Sequence, residues 1–215
     1  MPFTPPSSHK IAIIGAGSVG GAIASALILR RVVAEIILVD INTDVCLAQV
    51  NDLADSAHLS NCKVTHGDAR AAGQAEIIIV SAGAKQKPGE TRLGLIEKNV
   101  HVLRSVIESM QPIRPDAILL LVSNPVDILT YFAQKLSGLP WGQVIGSGTL
   151  LDSIRLKGML AKLGKVAESS INAWVIGEHG DSQCVRKISG VTAWHLTLTP
   201  LGCMVVSKLL WSPYY

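Results

Sequence analysis

The chain has 215 residues, 48% of them hydrophobic, which suits one large domain, or one domain and part of another, around a real core. Its formal charge of +3 is no polyanion footprint: residues 1–182 balance sixteen Lys/Arg against sixteen Asp/Glu, and the surplus is Arg186, Lys187 and Lys208. With no basic stripe and interleaved aromatics, nucleic acid is not an expected partner; four cysteines without C-x-x-C or metal-ligand spacing fit reduced thiols in the cytoplasm and no metal.

Residues 1–9 form an N-terminal extension with neither a basic start nor an apolar signal core, so secretion is not expected. From Lys10 the chain reads as an Ile-rich buried strand that breaks at Gly15-x-Gly17-x-x-Gly20 and passes into an Ala/Leu/Ile-rich segment of helical length. A second apolar run ends on Asp40, twenty residues after Gly20. In a dinucleotide site Gly15 permits the tight turn, Gly17 admits the pyrophosphate, and Gly20 lets helix and strand pack. Asp40 would accept hydrogen bonds from a ribose 2′-OH and repel a 2′-phosphate, so NAD is expected over NADP. The rival is a membrane span, because Ile11–Leu29 is a run of nineteen uncharged residues. Four glycines within seven residues, no basic flank, and the strand-like run to Asp40 argue against it. No membrane partner is expected.

Thr43–Ala57 reads as a helix, Cys62–His66 as a short strand, and Glu76–Ser81 as a buried strand followed by Gly83 and Ala84. A polar loop, Lys85 to Arg92, leads into an amphipathic helix over Leu93–Met110. Ala117–Val122 is the next buried strand and ends in Ser123-Asn124-Pro125. Val126–Leu136 is helical, Gln143–Ser147 a short strand, Leu151–Leu163 a helix, and Ile171–Ile176 strand-like. Strand–helix alternation with Val/Ile-rich strands predicts an α/β fold with a doubly wound parallel sheet. Ligands of such sheets bind at the strand carboxyl ends, which places Gly83, Asn124 and the Gly-rich turn along one crevice.

Three clusters carry potential chemistry: the loop ending in Arg92, Asp152 with Arg155, and His179 in a glycine-flanked turn. Asp152 and Arg155 are three apart on a helix and are expected to point the same way. Each has a bland reading as a loop charge, a surface ion pair or a satisfied histidine, and only their combination with a dinucleotide fold raises a site.

Six segments, in order and in register, resemble the L-lactate/malate dehydrogenase family. They are Gly15–Gly20, Ala82–Arg92, Ser123–Asp127, Ile145–Thr149, Leu151–Arg155 and Gly177–Ser182. The likeness is nearest to the L-lactate dehydrogenases. It implies a Rossmann-type NAD-binding domain over 10–148, the start of a substrate domain over 149–182, and a cytoplasmic, carbohydrate-metabolising (glycolytic) enzyme that forms homo-oligomers around a small-molecule substrate.

By that resemblance, His179 is the acid/base that takes the hydroxyl proton as hydride leaves for the nicotinamide. Asp152 orients its imidazole and stabilises the charged form, and Arg155 forks onto the substrate carboxylate. Arg92 polarises the ketone from a mobile loop. Asn124 hydrogen-bonds substrate or cofactor, and Val19, Gly83, Ala84 and Ser147 line the cofactor groove. Gln86 takes the loop position where malate dehydrogenases carry Arg. A neutral amide offers no partner to a second carboxylate, which points to pyruvate/lactate, with malate/oxaloacetate as the alternative. Lys157 and Asn172 match a sugar-bisphosphate site but retain one cation at best, so that control is not expected.

After Ser182 the motifs stop. Residues 183–215 contain no acid and include an apolar run over Leu201–Trp211, reading as a divergent tail on a C-terminally shortened family member with an incomplete substrate domain. His195 there has no motif around it. A catalytically incompetent NAD-binding remnant of the family is therefore a second expectation beside the enzyme.

Overall fold

The computed structural model describes residues 9–58, 60–84, 89 and 91–190; the side chains of Arg92 and of residues 186–190 lie outside that description, as does Gln86. The chain divides into two compact units between Gly146 and Ser147.

The first unit holds six parallel strands: β1 Lys10–Ile14, β2 Glu35–Val39, β3 Lys63–His66, β4 Ile77–Val80, β5 Ile118–Leu121 and β6 Val144–Gly146. Their spatial order is β3-β2-β1-β4-β5-β6, the doubly wound Rossmann order, with the direction of winding reversing between β1 and β4. Helices α1 Ser18–Arg30, α2 Thr43–Ala57, α3 Ala69–Gly73, α4 Arg92–Ser109 and α5 Val126–Ser137 connect them. The run Ile11–Leu29, weighed above against a membrane span, is thus a sheet strand and a helix, and no helix among the described residues is long and apolar enough to cross a membrane.

Alternation along the strands feeds two cores. Ile11 and Ile13 of β1, Ile36 and Leu38 of β2 and Ile79 of β4 pack with Ala24 and Ile28 of α1 and Val50 and Leu53 of α2. Ala12 and Ile14, Ile37, Ile78 and Val80, and Leu119 and Leu121 pack with Leu103, Ile107 and Met110 and with Leu129 and Ala133 of α5. A strand that buries both faces must be apolar throughout, which is why the sequence shows runs rather than alternating polarity.

The second unit contains α6 Leu150–Gly164 and the antiparallel pair β7 Ile171–Ile176 and β8 Cys184–Gly190. Leu156, Ala173 and Val175 form its small core. Strand β8 lies inside the stretch read as a divergent tail from 183, so ordered structure continues past Ser182. Its pairing is with β7, a relationship that tail composition does not carry. The rest of the tail, His195 included, lies outside the described residues.

Candidate active site

Strand β1 delivers the glycine turn to the carboxyl edge of the sheet. Gly15 has φ +104°, and a Cβ there would press on the Ala82 amide nitrogen at 2.7 Å. A Cβ at Gly20 would run into the Gly15 carbonyl oxygen, whereas one at Gly17 meets nothing within 4 Å. Gly15 and Gly20 are therefore demanded by packing, and Gly17 faces open space where a ligand can approach.

Gly17 caps α1 without a side-chain hydrogen bond, and the first turn has no acid. By contrast Asn42, Asp68 and Thr91 each accept an amide at the start of α2, α3 and α4. The start of α1 keeps its positive end for an anion. Asp40 closes the crevice: its carboxylate accepts from the Ala16 amide at 2.7 Å and the Asn42 amide at 2.9 Å, and the residue remains half-exposed. Open backbone at Gly17, an uncapped helix start and a fixed acid at the end of β2 fit a dinucleotide pyrophosphate and its adenosine ribose.

The next strand ends are stitched by side chains. Ser81 Oγ donates within reach of the carbonyls of Ile14, at 3.2 Å, and Gly15, at 3.0 Å. Ser123 Oγ donates to the Ala82 carbonyl at 2.6 Å. Asn99 of α4, only 2% exposed, accepts from the Ala84 amide at 2.7 Å through Oδ1 and donates to the Asn124 carbonyl at 2.8 Å through Nδ2. Gly83, Asn124 and Val19 are exposed, and Ala84 is half-buried. Gly83, Ala84 and Asn124 are expected from the sequence as groove residues; Asn99 is not. The signal was there: Asn99 lies four residues before Leu103 and eight before Ile107, on the buried stripe of α4, where a polar side chain requires partners.

In the second unit Asp152 is fully buried and His179 nearly so, with side-chain exposures of 1% and 15%, and Asp152 Oδ2 lies 2.6 Å from His179 Nδ1. Asp152 Oδ1 is buried with no hydrogen-bond partner among the described residues. Helix and turn are registered by hydroxyls that the sequence reading did not assign. Thr149 Oγ1 donates to the Val175 carbonyl at 2.8 Å, and Ser153 Oγ accepts from the Val175 amide at 3.0 Å. His179 follows in a turn opened by Gly177 at φ +95°, with Ser182 Oγ donating to Glu178 at 2.8 Å. Arg155 does not share the burial of Asp152. It is exposed, because three helical residues rotate a side chain by about 60° and the boundary of the buried face passes between them. Ser147 opens this unit, half-buried, its carbonyl accepting from the Leu150 amide at 3.2 Å.

Lys157 Nζ stands 4.0 Å over the Trp174 ring, whose Nε1 donates to Asn172 at 2.7 Å. The two positions expected to lack a bisphosphate role are joined to one another through Trp174.

A family model described as the lactate/malate dehydrogenase NAD-binding domain matches residues 9–146, and the α/β C-terminal domain of the same family matches 149–198. The chain belongs to the lactate/malate dehydrogenase family. The match passes Ser182, where the motifs stopped, and runs to residue 198. Similar proteins of this family include L-lactate dehydrogenase A of Rhizopus oryzae, 54% identical over 176 residues, covering 82% of this chain and 55% of that one. L-lactate dehydrogenase of Clostridium perfringens is 44% identical over 191 residues, covering 88% of this chain and 58% of its own. Among solved structures, the ligand-bound minor L-lactate dehydrogenase of Enterococcus mundtii superposes with a TM-score of 0.86 at 32% identity, over 94% of this chain and 68% of that one. The chain thus spans 55% to 58% of the length of these curated relatives.

Proposed function

We propose that the chain interconverts a small L-2-hydroxy acid and its 2-oxo acid with NAD, lactate and pyruvate being the preferred pair, in the cytoplasm and as a homo-oligomer. The observation that carries this reading is the 2.6 Å contact between His179 Nδ1 and the buried Asp152 carboxylate. An ionised carboxylate can only accept, so Nδ1 carries the proton and exchange with the substrate oxygen falls to the other ring nitrogen.

NAD, when bound, supplies the hydride acceptor, and its reduced form the donor. The residues proposed to hold it are Gly15, Gly17, Val19, Gly20 and Asp40, together with Gly83, Ala84, Asn124 and Ser147. Arg155, exposed and always charged, is assigned the substrate carboxylate, where a planar fork gives two charge-assisted hydrogen bonds. Arg92 is assigned the carbonyl oxygen, stabilising the negative charge that develops there. Gln86 is assigned the side-group end of the substrate, where an amide leaves a second carboxylate unpaired.

The test is NADH oxidation by the purified chain with pyruvate or oxaloacetate. Pyruvate-dependent oxidation that is lost in His179→Asn supports the reading. NADH binding with turnover of neither oxo acid overturns it, and preference for oxaloacetate moves the assignment to malate.

A further inference from the structure

We propose that Asn99 is a positioning residue for the nicotinamide half of the dinucleotide, a role that rests on the NAD reading above. The doubly wound order divides the crevice: the β1–β2 side, with Asp40, takes the adenosine half, and the β4–β5 side takes the second mononucleotide. Both strand ends on that second side leave their ladders before the ligand positions, so something else must fix them.

Asn99 does so with both ends of one amide. Its Oδ1 accepts from the Ala84 amide at 2.7 Å, and its Nδ2 donates to the Asn124 carbonyl at 2.8 Å, with a longer reach of 3.5 Å to the Ala84 carbonyl. A Cβ added to Gly83 would sit 3.5 Å from Asn99 Oδ1, so the side chain lies directly behind that exposed turn. Asn99 is 2% exposed and stands behind the ligand-lining backbone rather than in front of it.

The chemistry of an amide is specific here. One acceptor and one donor are needed on the same planar group, facing an N–H on one strand end and a C=O on the other. Leucine would match the volume and offer neither backbone group a hydrogen bond. Aspartate would keep the acceptor for Ala84 and lose the donor to Asn124. With the strap cut, the Ser123–Ala82 hydrogen bond remains but Ala84 and Asn124 lose their direct link, and binding the nicotinamide end must then order them.

The experiment titrates the full chain and its Asn99→Ala and Asn99→Asp variants with NADH and, separately, with ADP, which carries only the adenosine half. The expected result is about a tenfold loss of NADH affinity in either variant, the scale of one or two hydrogen bonds, with ADP affinity unchanged. Equal loss for both ligands would show a role in the fold alone and overturn the proposal, as would unchanged NADH affinity. If Asn99→Ala does not fold, Asn99→Asp, which retains the Ala84 hydrogen bond, decides the matter by the same two titrations. An unmodified chain that binds neither ligand would remove the NAD reading, and this inference with it; one that binds both, with variants that bind NADH as tightly as the unmodified chain, removes only the role of Asn99.

Discussion

The Asp40 carboxylate is held by the amide of Ala16, in the middle of the glycine turn, at 2.7 Å. The acid proposed to discriminate between cofactors is therefore oriented by the loop proposed to admit the pyrophosphate. A 2′-phosphate would meet a fixed negative charge, with no nearby freedom for it to swing away. The chain should bind NADH well and NADPH poorly, and Asp40→Ser should narrow the gap by weakening NADH and relieving NADPH. Equal affinities of the unmodified chain for the two cofactors in a fluorescence titration would refute this.

Asp152→Asn keeps the shape beside His179 and replaces the carboxylate that meets its Nδ1 with an amide. Pyruvate reduction should fall by about 10²- to 10⁴-fold in kcat, the range attributable to a positioned acid/base, with NADH affinity unaltered. Steady-state kinetics beside a NADH titration separates the two quantities, and a parallel loss of NADH binding would count against the assignment.

Gly20→Ala forces a methyl group into the Gly15 carbonyl, which is backbone and cannot step aside. Stability should drop by about 1–3 kcal/mol, the usual cost of overpacking, and NADH binding should be lost with it. Gly17→Ala, with open space around it, should leave the melting temperature near that of the unmodified chain while still impairing NADH binding. Thermal melts of the two variants check the contrast.

Gln86→Arg supplies a cation for a second substrate carboxylate. A charge-assisted hydrogen bond contributes about 1.5–3 kcal/mol, so the preference for oxaloacetate over pyruvate should rise by about ten- to a hundredfold. Comparison of kcat/KM for the two oxo acids tests it, and an unchanged ratio would mean that another loop residue meets the side group.

Burial, with the Asp40 charge adding to it, pushes the Cys46 thiol above its ordinary value, and burial does the same for Cys62. Because the thiolate is the nucleophile, both should alkylate slowly in the folded chain at mildly alkaline pH and rapidly in denaturant. The sign for stability follows: above the ordinary thiol range the folded chain holds protons that the unfolded chain has released, so stability falls as pH rises there. Mass mapping of alkylated peptides reads the first effect, and thermal melts across that pH range read the second.

Much of this was legible in the residues. The β1 to β2 stretch announces itself because glycines, apolar runs and Asp40 each obey a local steric or electrostatic demand. Helix α2 carries its own start signal in Asn42, and β4 and β5 are unbroken apolar strands. Helix α3, Ala69–Gly73, is too short to show a period, and β8 exists through a partner strand rather than through its own pattern. The Asp152–His179 contact joins residues twenty-seven positions apart, and only the family resemblance brought them together beforehand. Asn99 was passed over because its value lies in the two backbone groups it reaches, which no reading of helix periodicity names.

Thr149 and Ser153 have a consequence beyond bonding. Both grip the backbone of Val175, four residues before His179, while Asp152 sits between them on α6. The spacing of carboxylate and imidazole is thus written within one continuous stretch of chain, from Thr149 to His179. Insertions or deletions in the first unit leave the ruler that sets its length untouched.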